Sequence, residues 1–170
     1  MRLNVRNFVA NRSQKRAWLK HAGLKAAVMA PSFRDEHYLL YSRYQEARHA
    51  DGGMNLDDAG QYVDFLVSTN VASMMVEFRQ PLPGNDLGEL KMVSIIDQLD
   101  DGLSAVYTFF ESEPGQSFGT FNVLWQVRLA QTLGLKHLYL GYWIEKCGKM
   151  SYKTRFKPYE LFINGKWDGA

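Results

Sequence analysis

The alternation of apolar and polar residues predicts strands along much of the chain. Arg2–Val5 alternates like the middle of a strand, and Leu24–Met29 is predicted to be a strand that ends before Pro31. Three more strands are predicted at Ser73–Arg79, Glu89–Asp97 and Leu103–Glu111. The link Pro81–Gly88 contains two prolines and two glycines, and Asp100–Gly102 is a tight Asp-Gly turn. Such short links make the three strands an antiparallel meander.

Helical spacing of apolar residues predicts four helices around these strands. They are Asn11–Lys20 with Trp18 as its anchor, a helix that runs to about Arg48, Asp57–Ser68, and a helix from Ser117 or Thr120 to Leu133. Ser32 and Asp35 are predicted to form a capping box that opens the second helix, and Gly134 ends the fourth. Three residues of the third helix are predicted to face inward: Tyr62, Phe65 and Leu66. Ala50–Asn55 is predicted to be a loop.

The last part of the chain begins with an apolar strand, predicted over Lys136–Ile144. A helix between two strands implies a parallel crossover, so this strand is expected beside Leu103–Glu111. Met150–Arg155 is predicted to add a turn of helix, and Tyr159–Trp167 a short final strand around Asn164 and Gly165. The whole order predicts one α/β domain over residues 1–170, in which helices flank a mostly antiparallel sheet.

Length and composition agree with a globular chain. The 170 residues suffice for one domain with a substantial core. No apolar run approaches the ~20 residues of a membrane span, and no signal peptide opens the chain. We therefore expect a cytoplasmic protein without a membrane partner. The single cysteine, Cys147, rules out an internal disulfide and is more readily a packed thiol than a nucleophile. The histidines lack metal-ligand spacing, so no metal site is predicted.

Charge is distributed unevenly, although the net charge is only +2. Residues 1–25 contain seven Lys or Arg and no acid, whereas residues 35–113 contain 15 of the 18 acids. This asymmetry predicts one face for an anionic partner, unless the fold mixes the charges in space. Four cations of the first predicted helix are available for phosphates: Arg12, Lys15, Arg16 and Lys20. A solvated face is the alternative.

A segment rich in cations and aromatic rings follows the Lys136–Ile144 strand. Residues 146–158 contain five cations and no acid, with Tyr152 and Phe156 among them. Cations pair with phosphates and rings stack on sugars or bases, so this composition favours an anionic polymer. A solvated basic loop is the alternative.

Three stretches together resemble the aminoacyl-tRNA–protein transferase family. One is Tyr139–Pro158, in which Tyr-Leu-Gly-Tyr-Trp-Ile precedes Cys147 and the Lys-Met and Tyr-Lys pairs. Another is Asp100–Tyr107, followed by Phe-Glu at 110–111 and Ser-Phe-Gly at 117–119. The third is Asn11–Arg16. The matches are ordered and span nearly the whole chain. The family comprises the arginyl transferases of eukaryotes and the leucyl transferases of bacteria.

The resemblance implies transfer of an amino acid from aminoacyl-tRNA to the α-amine of proteins that begin with Asp or Glu, which marks them for degradation. Because the chain lacks the long insertions of the eukaryotic enzymes, leucine is favoured over arginine. The alternatives are a non-catalytic module that binds tRNA or protein N-termini, and an N-acyltransferase that uses coenzyme A. The family carries a further Cys-rich N-terminal segment with proposed metal or cluster ligands. We expect this chain to lack it, which leaves open whether the chain is active alone.

The order of elements is also similar to that of the GNAT acyltransferase fold, although a fold indicates reaction class only weakly. In GNAT acetyltransferases the loop after the fourth strand cradles the coenzyme A pyrophosphate. Here that loop is Ser112–Gly119, and Phe121 follows at a position that is usually small. Glu111 and Glu113 would also repel phosphate. A GNAT-like fold without coenzyme A, and without any cofactor in this chain, is therefore predicted.

The implied reaction is aminolysis of an activated ester, which requires positioning and oxyanion stabilisation rather than a covalent nucleophile. Tyr107 and Tyr139 lie on strands expected to diverge, where their hydroxyls would bind the ester, the amine or the leaving oxygen. Asp97, at a strand end, is predicted to hold or deprotonate the ammonium. For each tyrosine, a place at the edge of the core is the alternative.

The remaining candidates are expected to contact the substrates. They are Tyr142, Lys149, Tyr152, Lys153, Arg155 and Lys157. Their cations would pair either with the acidic side chain of the acceptor protein or with tRNA, and the sequence does not separate these roles. Under the resemblance, the four cations of Asn11–Lys20 bind tRNA.

Overall fold

The computed structural model describes residues 1–49 and 59–169. Within these residues the strands form one sheet. The strands are β1 (Arg2–Asn4), β2 (Lys25–Met29), β3 (Ser73–Leu82), β4 (Asn85–Gln98), β5 (Gly102–Phe110), β6 (His137–Tyr139), β7 (Tyr159–Ile163) and β8 (Lys166–Gly169). The helices are α1 (Arg12–Lys20), α2 (Asp35–His49), α3 (Ala59–Tyr62) and α4 (Phe118–Thr132). A π-helical turn, Val63–Val67, continues α3, and a 3₁₀ helix spans Gly148–Arg155.

The sheet confirms the predicted fold class. Strands β2 to β5 are antiparallel neighbours, and β6 lies parallel to β5 after the α4 crossover. This succession is GNAT-like. The order continues from β6 to β1, β7 and β8, so the first strand lies between two late ones. That insertion was not predicted, because Arg2–Asn4 contains no signal for its partners. One short final strand was predicted around Asn164 and Gly165, but these two residues form a turn that joins β7 to β8, with both in the left-handed region.

Each face of the meander is covered by different helices. On one face, Val76, Phe78 and Met92 pack with residues of α4 such as Phe121 and Val127. On the other face, the alternate positions pack against α2, α3 and the π-helical turn: Met75, Val93, Ile95 and Phe109. Successive strand residues point to opposite faces, so one strand supplies both clusters. Burial of such side chains is worth about 1.5–3 kcal/mol each, and the meander is therefore the stable centre of the molecule.

The start of helix α2 differs from prediction. Helix α2 begins at Asp35 after Arg34, whose carbonyl accepts the Tyr38 N–H. The predicted capping box at Ser32 is therefore wrong, because Asp35 is the first helical residue rather than the third. A capping box does occur at α1: the Asn11 side chain accepts the Gln14 N–H, and the Gln14 side chain accepts the Asn11 N–H.

Helix α3 has one inward residue fewer than predicted. Tyr62 and Leu66 are buried, but Phe65 is 48% exposed, so its predicted inward orientation is wrong. Residues four apart share the inner face across the π-helical turn, and this leaves Phe65 beside it, with its ring 5.4 Å from that of Tyr107. The predicted start at Asp57 and the predicted loop Ala50–Asn55 lie outside the described residues.

Helix α4 begins after Ser117, as predicted, but not through a side-chain cap. Ser117 is in the left-handed region (φ 59°), and its carbonyl accepts the Phe121 N–H. The alternative start at Thr120 is wrong. Gly134, with φ of 72°, follows the end of the helix as predicted. No helix among the described residues is long and apolar enough to cross a lipid bilayer.

Candidate functional site

A cleft opens where the two parallel strands separate. Strand β6 pairs with β5 only from Gly102 to Ser104 and ends at Tyr139, whereas β5 continues to Phe110. The predicted strand Lys136–Ile144 is thus too long, because Gly141 adopts φ of 76° and turns the chain out of the sheet. The space between the diverging segments has a volume of about 970 Å³. Its walls are β5, the loop 112–117, the start of α4, residues 140–142, the 3₁₀ helix and the C-terminal half of α2.

The β5 wall presents main-chain groups to this cleft. The pairing with β4 shifts so that Ile95 opposes Tyr107 and Ile96 opposes Ala105, which leaves Val106 as a bulge. Beyond Ser104, no strand of the described residues pairs with the β6-side edge of β5. The N–H groups along that edge are consequently available to a ligand in the cleft.

The opposite wall is held in place by Lys153. Its ammonium donates to the carbonyl oxygens of Leu140 and Tyr142, both at 2.6 Å. These two bonds hold the bend around Gly141 together with the main-chain bonds from Met1 to Leu140 and Gly141. Burial lowers the pKa of Lys153 from its ordinary value, and the nearby Cys147 opposes that change. Lys153 therefore positions the wall and also borders the cleft itself.

Helix α1 supports the loop at the mouth of the cleft. The Lys20 ammonium donates to the Gly115 carbonyl at 3.0 Å, and the His21 Nε2 donates to the Gln116 carbonyl. The His21 ring also stacks on Phe118 at 4.2 Å. Burial lowers the pKa of His21, which favours the neutral ring. At its other end α1 contacts the 3₁₀ helix, because the Gln14 amide donates to the Arg155 carbonyl at 3.0 Å.

Comparison with known proteins identifies the family. The sequence model described as "Arginine-tRNA-protein transferase, C terminus" matches residues 36–163. The chain belongs to the aminoacyl-tRNA–protein transferase family. It is 49% identical over 168 residues to an "Aspartate/glutamate leucyltransferase" of Chromobacterium violaceum, covering 98% of this chain and 67% of that protein. It is 47% identical to one of Nitrosospira multiformis, covering 99% of this chain and 65% of that protein.

The chain therefore spans about two thirds of the length of these curated relatives. Among solved structures, it is similar to L-PGS from Bacillus licheniformis with a TM-score of 0.63 and 12% identity, covering 99% of this chain and 56% of that one. The C-terminal domain of a putative lysylphosphatidylglycerol synthetase from Agrobacterium fabrum gives a TM-score of 0.56 at 10% identity, covering 82% and 45%. These two likenesses show the fold alone.

Several residues predicted from the transferase resemblance line the cleft. They are Tyr107, Tyr142, Lys149, Tyr152 and Lys153. Tyr107 lies on β5 beside the bulge, and burial raises the pKa of its hydroxyl, so it stays protonated and able to donate. Burial likewise raises the pKa of Tyr152. Tyr142 is 88% exposed, which places its ring at the mouth rather than the floor.

Two predicted catalytic residues lie outside the lining of the cleft. The Tyr139 hydroxyl donates to the Asp101 carboxylate, whose two oxygens both lie 3.1 Å away. The same hydroxyl accepts from Arg2 Nη1 at 3.4 Å. Asp97 accepts a hydrogen bond from the Ser73 hydroxyl on the neighbouring strand. Tyr139 misses the cleft because β6 still pairs with β5 at its position. Their catalytic roles remain predictions, and the chemistry proposed below does not use them.

The predicted cations divide between two surfaces. Arg155 and Lys157 are exposed and do not line the cleft. Four exposed cations occupy the outer surface of α1: Arg12, Lys15, Arg16 and Lys20. On the same helix Gln14 and Ala17 are buried, and Trp18 packs on Phe121 at 5.3 Å. The α1 cations therefore face away from the core, as binding to phosphate requires.

The prediction that the Phe121 ring lies at the coenzyme A loop was wrong about the position of the ring. This residue is 2% exposed and packs on Trp18 and Phe78, so its ring does not occupy the mouth of the loop. Glu113 does line the cleft, where its carboxylate accepts from the Gln116 amide at 2.7 Å. The negative charge near the loop thus remains an argument against a pyrophosphate ligand.

Thr108 and Asn122 are among the polar residues of the cleft that the sequence analysis missed. Asn122 is 4% exposed and donates to the Thr108 hydroxyl at 2.8 Å. One signal could have revealed it. Asn122 lies next to Phe121 and two residues before Leu124 on the inner surface of a predicted amphipathic helix, where a polar residue requires a partner.

Proposed function

We propose that this chain transfers leucine from leucyl-tRNA to the α-amine of proteins whose first residue is Asp or Glu. The membership of the family and the names of the curated relatives support the reaction, and those relatives are leucyltransferases rather than arginyltransferases. The structural observation that carries the proposal is the cleft between the diverging strands β5 and β6, with an unpaired main-chain edge on one wall. The product would mark its protein for degradation in the cytoplasm.

The chemistry is aminolysis of the ester that joins leucine to the 3′-oxygen of tRNA. The acceptor nitrogen attacks the ester carbonyl, a C–N bond forms, and the C–O bond to the 3′-oxygen breaks. The amine loses one proton, and the leaving oxygen takes one up. An α-amino group has a pKa of roughly 7.7–8.0, so water or a weak base suffices to free it. This chemistry uses no cofactor.

The β5 edge is suited to the charge that develops during attack. Its unpaired N–H groups near the Val106 bulge would donate to the oxyanion of the tetrahedral intermediate. The Tyr107 hydroxyl, kept protonated by burial, would donate to the same intermediate or to the leaving oxygen. Removal of one oxyanion donor typically lowers kcat about 100- to 1,000-fold, so these contacts dominate the expected rate enhancement.

Other walls of the cleft suit the two substrates. The leucine side chain requires apolar surface, and four apolar or aromatic residues supply it: Tyr44, Phe110, Phe118 and Leu140. The acidic side chain of the acceptor requires a cation. Lys149 borders the cleft, and Lys153 retains a third N–H beyond its two carbonyl partners. The acceptor carboxylate would bind at this wall, while α1 binds the tRNA.

The first experiment supplies labelled leucine or arginine on tRNA to peptides that begin with Asp, Glu or Ala. Leucine is expected on the Asp and Glu peptides only. Tyr107→Phe is compared with Tyr159→Phe, which removes the same hydroxyl from a residue outside the cleft. We expect at least a ten-fold lower rate for the former alone. Transfer of arginine instead of leucine would show that the donor is arginyl-tRNA. The absence of any transfer by folded protein that binds tRNA would favour a binding module.

Binding of coenzyme A tests the remaining alternative, an N-acyltransferase. The acidic loop at the mouth, with Glu113 in the lining, opposes a pyrophosphate. We expect no saturable binding of coenzyme A at millimolar concentration. Tight binding would instead favour an N-acyltransferase.

A further inference from the structure

A row of hydrogen-bonded polar side chains crosses the apolar interface between α4 and the sheet. Gln126 on α4 donates to the Ser94 hydroxyl at 3.2 Å, and that hydroxyl lies 2.9 Å from the hydroxyl of Thr108. The Asn122 amide donates to Thr108 at 2.8 Å. Gln126 and Ser94 are fully buried, and Asn122 is 4% exposed. We refer to Gln126, Ser94, Thr108 and Asn122 as the polar row.

The two ends of the polar row lie in different surroundings. Asn122 and Thr108 border the cleft, whereas Gln126 and Ser94 lie deeper in the core. Each terminal amide keeps a buried carbonyl oxygen without a hydrogen-bond partner among the described residues: Asn122 Oδ1 and Gln126 Oε1. A buried acceptor without a donor is costly, and its presence in a folded protein requires an explanation. At Asn122 a ligand in the cleft can supply the missing donor.

The chemistry of the cleft indicates which donor fits. Both substrates of the proposed reaction carry an α-amino group close to the reacting carbonyl. The opposite wall carries the ammonium groups of Lys149 and Lys153, and their charges disfavour a protonated substrate amine nearby. A neutral amide oxygen accepts from an amine without favouring its protonated form as strongly as a carboxylate would.

We propose that Asn122 binds the α-amino group of a substrate, with Oδ1 accepting one of its N–H bonds. The inference rests on the proposed function, because it names the binding site for a group that both substrates share. Oδ1 is shielded from solvent in the free protein, so a rotation about χ2 accompanies binding. The amine belongs either to the leucyl ester or to the acceptor protein, and the experiment separates these sources.

The polar row offers its own control. Asn122→Leu removes the amide that borders the cleft, and Gln126→Leu removes the amide at the other end of the same row. Each variant deprives one hydroxyl of the row of its amide partner. A purely structural role predicts similar consequences for both variants. A role in binding predicts that only Asn122→Leu changes the interaction with substrate.

The kinetic arm measures kcat and KM for leucyl-tRNA and for a peptide that begins with Asp. For Asn122→Leu we expect KM to rise roughly ten-fold for the substrate whose amine it binds, and Gln126→Leu to keep the wild-type KM values. Asn122→Asp separates the sources further. If residue 122 binds the acceptor amine, the new carboxylate raises the pKa of that amine and shifts the rate profile to higher pH. If residue 122 binds the amine of leucyl-tRNA, the new carboxylate lowers KM for leucyl-tRNA without that shift.

The binding arm does not depend on turnover. Leucinamide and an Asp-Ala dipeptide amide carry the two amines without a reactive ester, and their binding is followed by NMR titration of wild type and both Leu variants. Roughly ten-fold weaker binding of one probe to Asn122→Leu, with Gln126→Leu unchanged, supports the inference even if wild type transfers no leucine. Equal changes in both variants, or no change in either, overturn it.

Discussion

The meander β3–β5 and the segment 140–155 form neighbouring parts of the molecule, but different kinds of contact hold them. The meander is held by main-chain ladders over long registers and is packed on both faces. The segment 140–155 has no strand among the described residues, and a few separate bonds hold it. The main chain of Met1 bonds to Leu140 and Gly141, and the side chains of Lys153 and Gln14 donate to three carbonyls. The local geometry of the meander is therefore expected to survive single substitutions, whereas one substitution in the segment 140–155 can move a wall of the cleft.

The largest effect on stability is expected in the meander. Phe109 on β5 is fully buried and packs on Tyr41 and Tyr62. Phe109→Ala should lower the free energy of unfolding by about 3–5 kcal/mol, because it removes buried apolar surface and leaves a cavity. Denaturant unfolding measures the loss. Phe162→Ala, at a residue that is 59% exposed, is the matched control and should cost much less. Equal losses would mean that the meander is not the stable centre.

The segment 140–155 should show the opposite pattern. Lys153→Met removes the ammonium that donates to the carbonyls of Leu140 and Tyr142 on either side of Gly141. Transfer should fall about 100-fold through misplacement of the wall, while the free energy of unfolding falls by only about 1–3 kcal/mol. Lys166→Met, at an exposed residue of β8 outside the cleft lining, should leave both quantities near wild type. A destabilisation as large as that of Phe109→Ala, with activity retained, would remove the distinction between the two regions.

A buried charge cluster makes the meander sensitive to pH. Burial lowers the pKa of His37, so the folded protein keeps it neutral while the unfolded chain takes up a proton below a pH of about 6.5. Burial alone would raise the pKa of Glu77, but hydrogen bonds from Arg79 and His37 outweigh burial and lower it. Both contributions to stability are present at neutral pH. They are lost as the pH falls, first that of His37 and then that of Glu77.

We expect the free energy of unfolding to fall by about 1 kcal/mol between pH 7 and pH 5. His37→Asn should flatten this part of the profile, and urea unfolding at each pH measures it. A profile that falls as steeply in the variant would assign the sensitivity to other groups.

The smallest effect is expected on the outer surface of α1. Arg12→Gln with Arg16→Gln should raise KM for leucyl-tRNA several-fold at low salt, because each phosphate contact releases counterions, and the difference should shrink as salt is added. KM for the peptide should not change. Arg6→Gln, at an exposed cation outside α1, is the control. A salt-independent change would argue against binding of tRNA by this helix.

The meander was predictable because its signals are local. Alternation placed β3, β4 and β5, and the turn residues at 83–84 and 100–102 fixed their antiparallel order. The position of β1 between β6 and β7 was not predictable, because strand partners far apart in sequence leave no local pattern. Phe65 was misplaced because the π-helical turn changes the spacing from which its orientation was inferred.

The sequence identified some of the residues that line the cleft, and their roles stay predictions. Tyr107 was expected where the two strands diverge, and it lines the cleft there, but the end of β6 decided that Tyr142 lines the cleft and Tyr139 does not. That end depends on the conformation of Gly141, which spacing alone does not specify. Tertiary packing likewise determined that Phe121 turns into the core while its neighbour Asn122 borders the cleft.

Helix α1 contacts both lips of the cleft, through Gln14 on the 3₁₀ helix and through Lys20 and His21 on the loop at 115–116. The same helix presents its cations to solvent. A ligand that shifts α1 on its outer surface therefore changes the separation of the lips, and a ligand between the lips changes the position of α1. Thermodynamic linkage requires each ligand to change the affinity for the other by the same factor. Occupancy of the cleft by an acceptor peptide should thus alter the affinity of α1 for a nucleic acid. The bound nucleic acid should alter the affinity of the cleft for the peptide by the same factor.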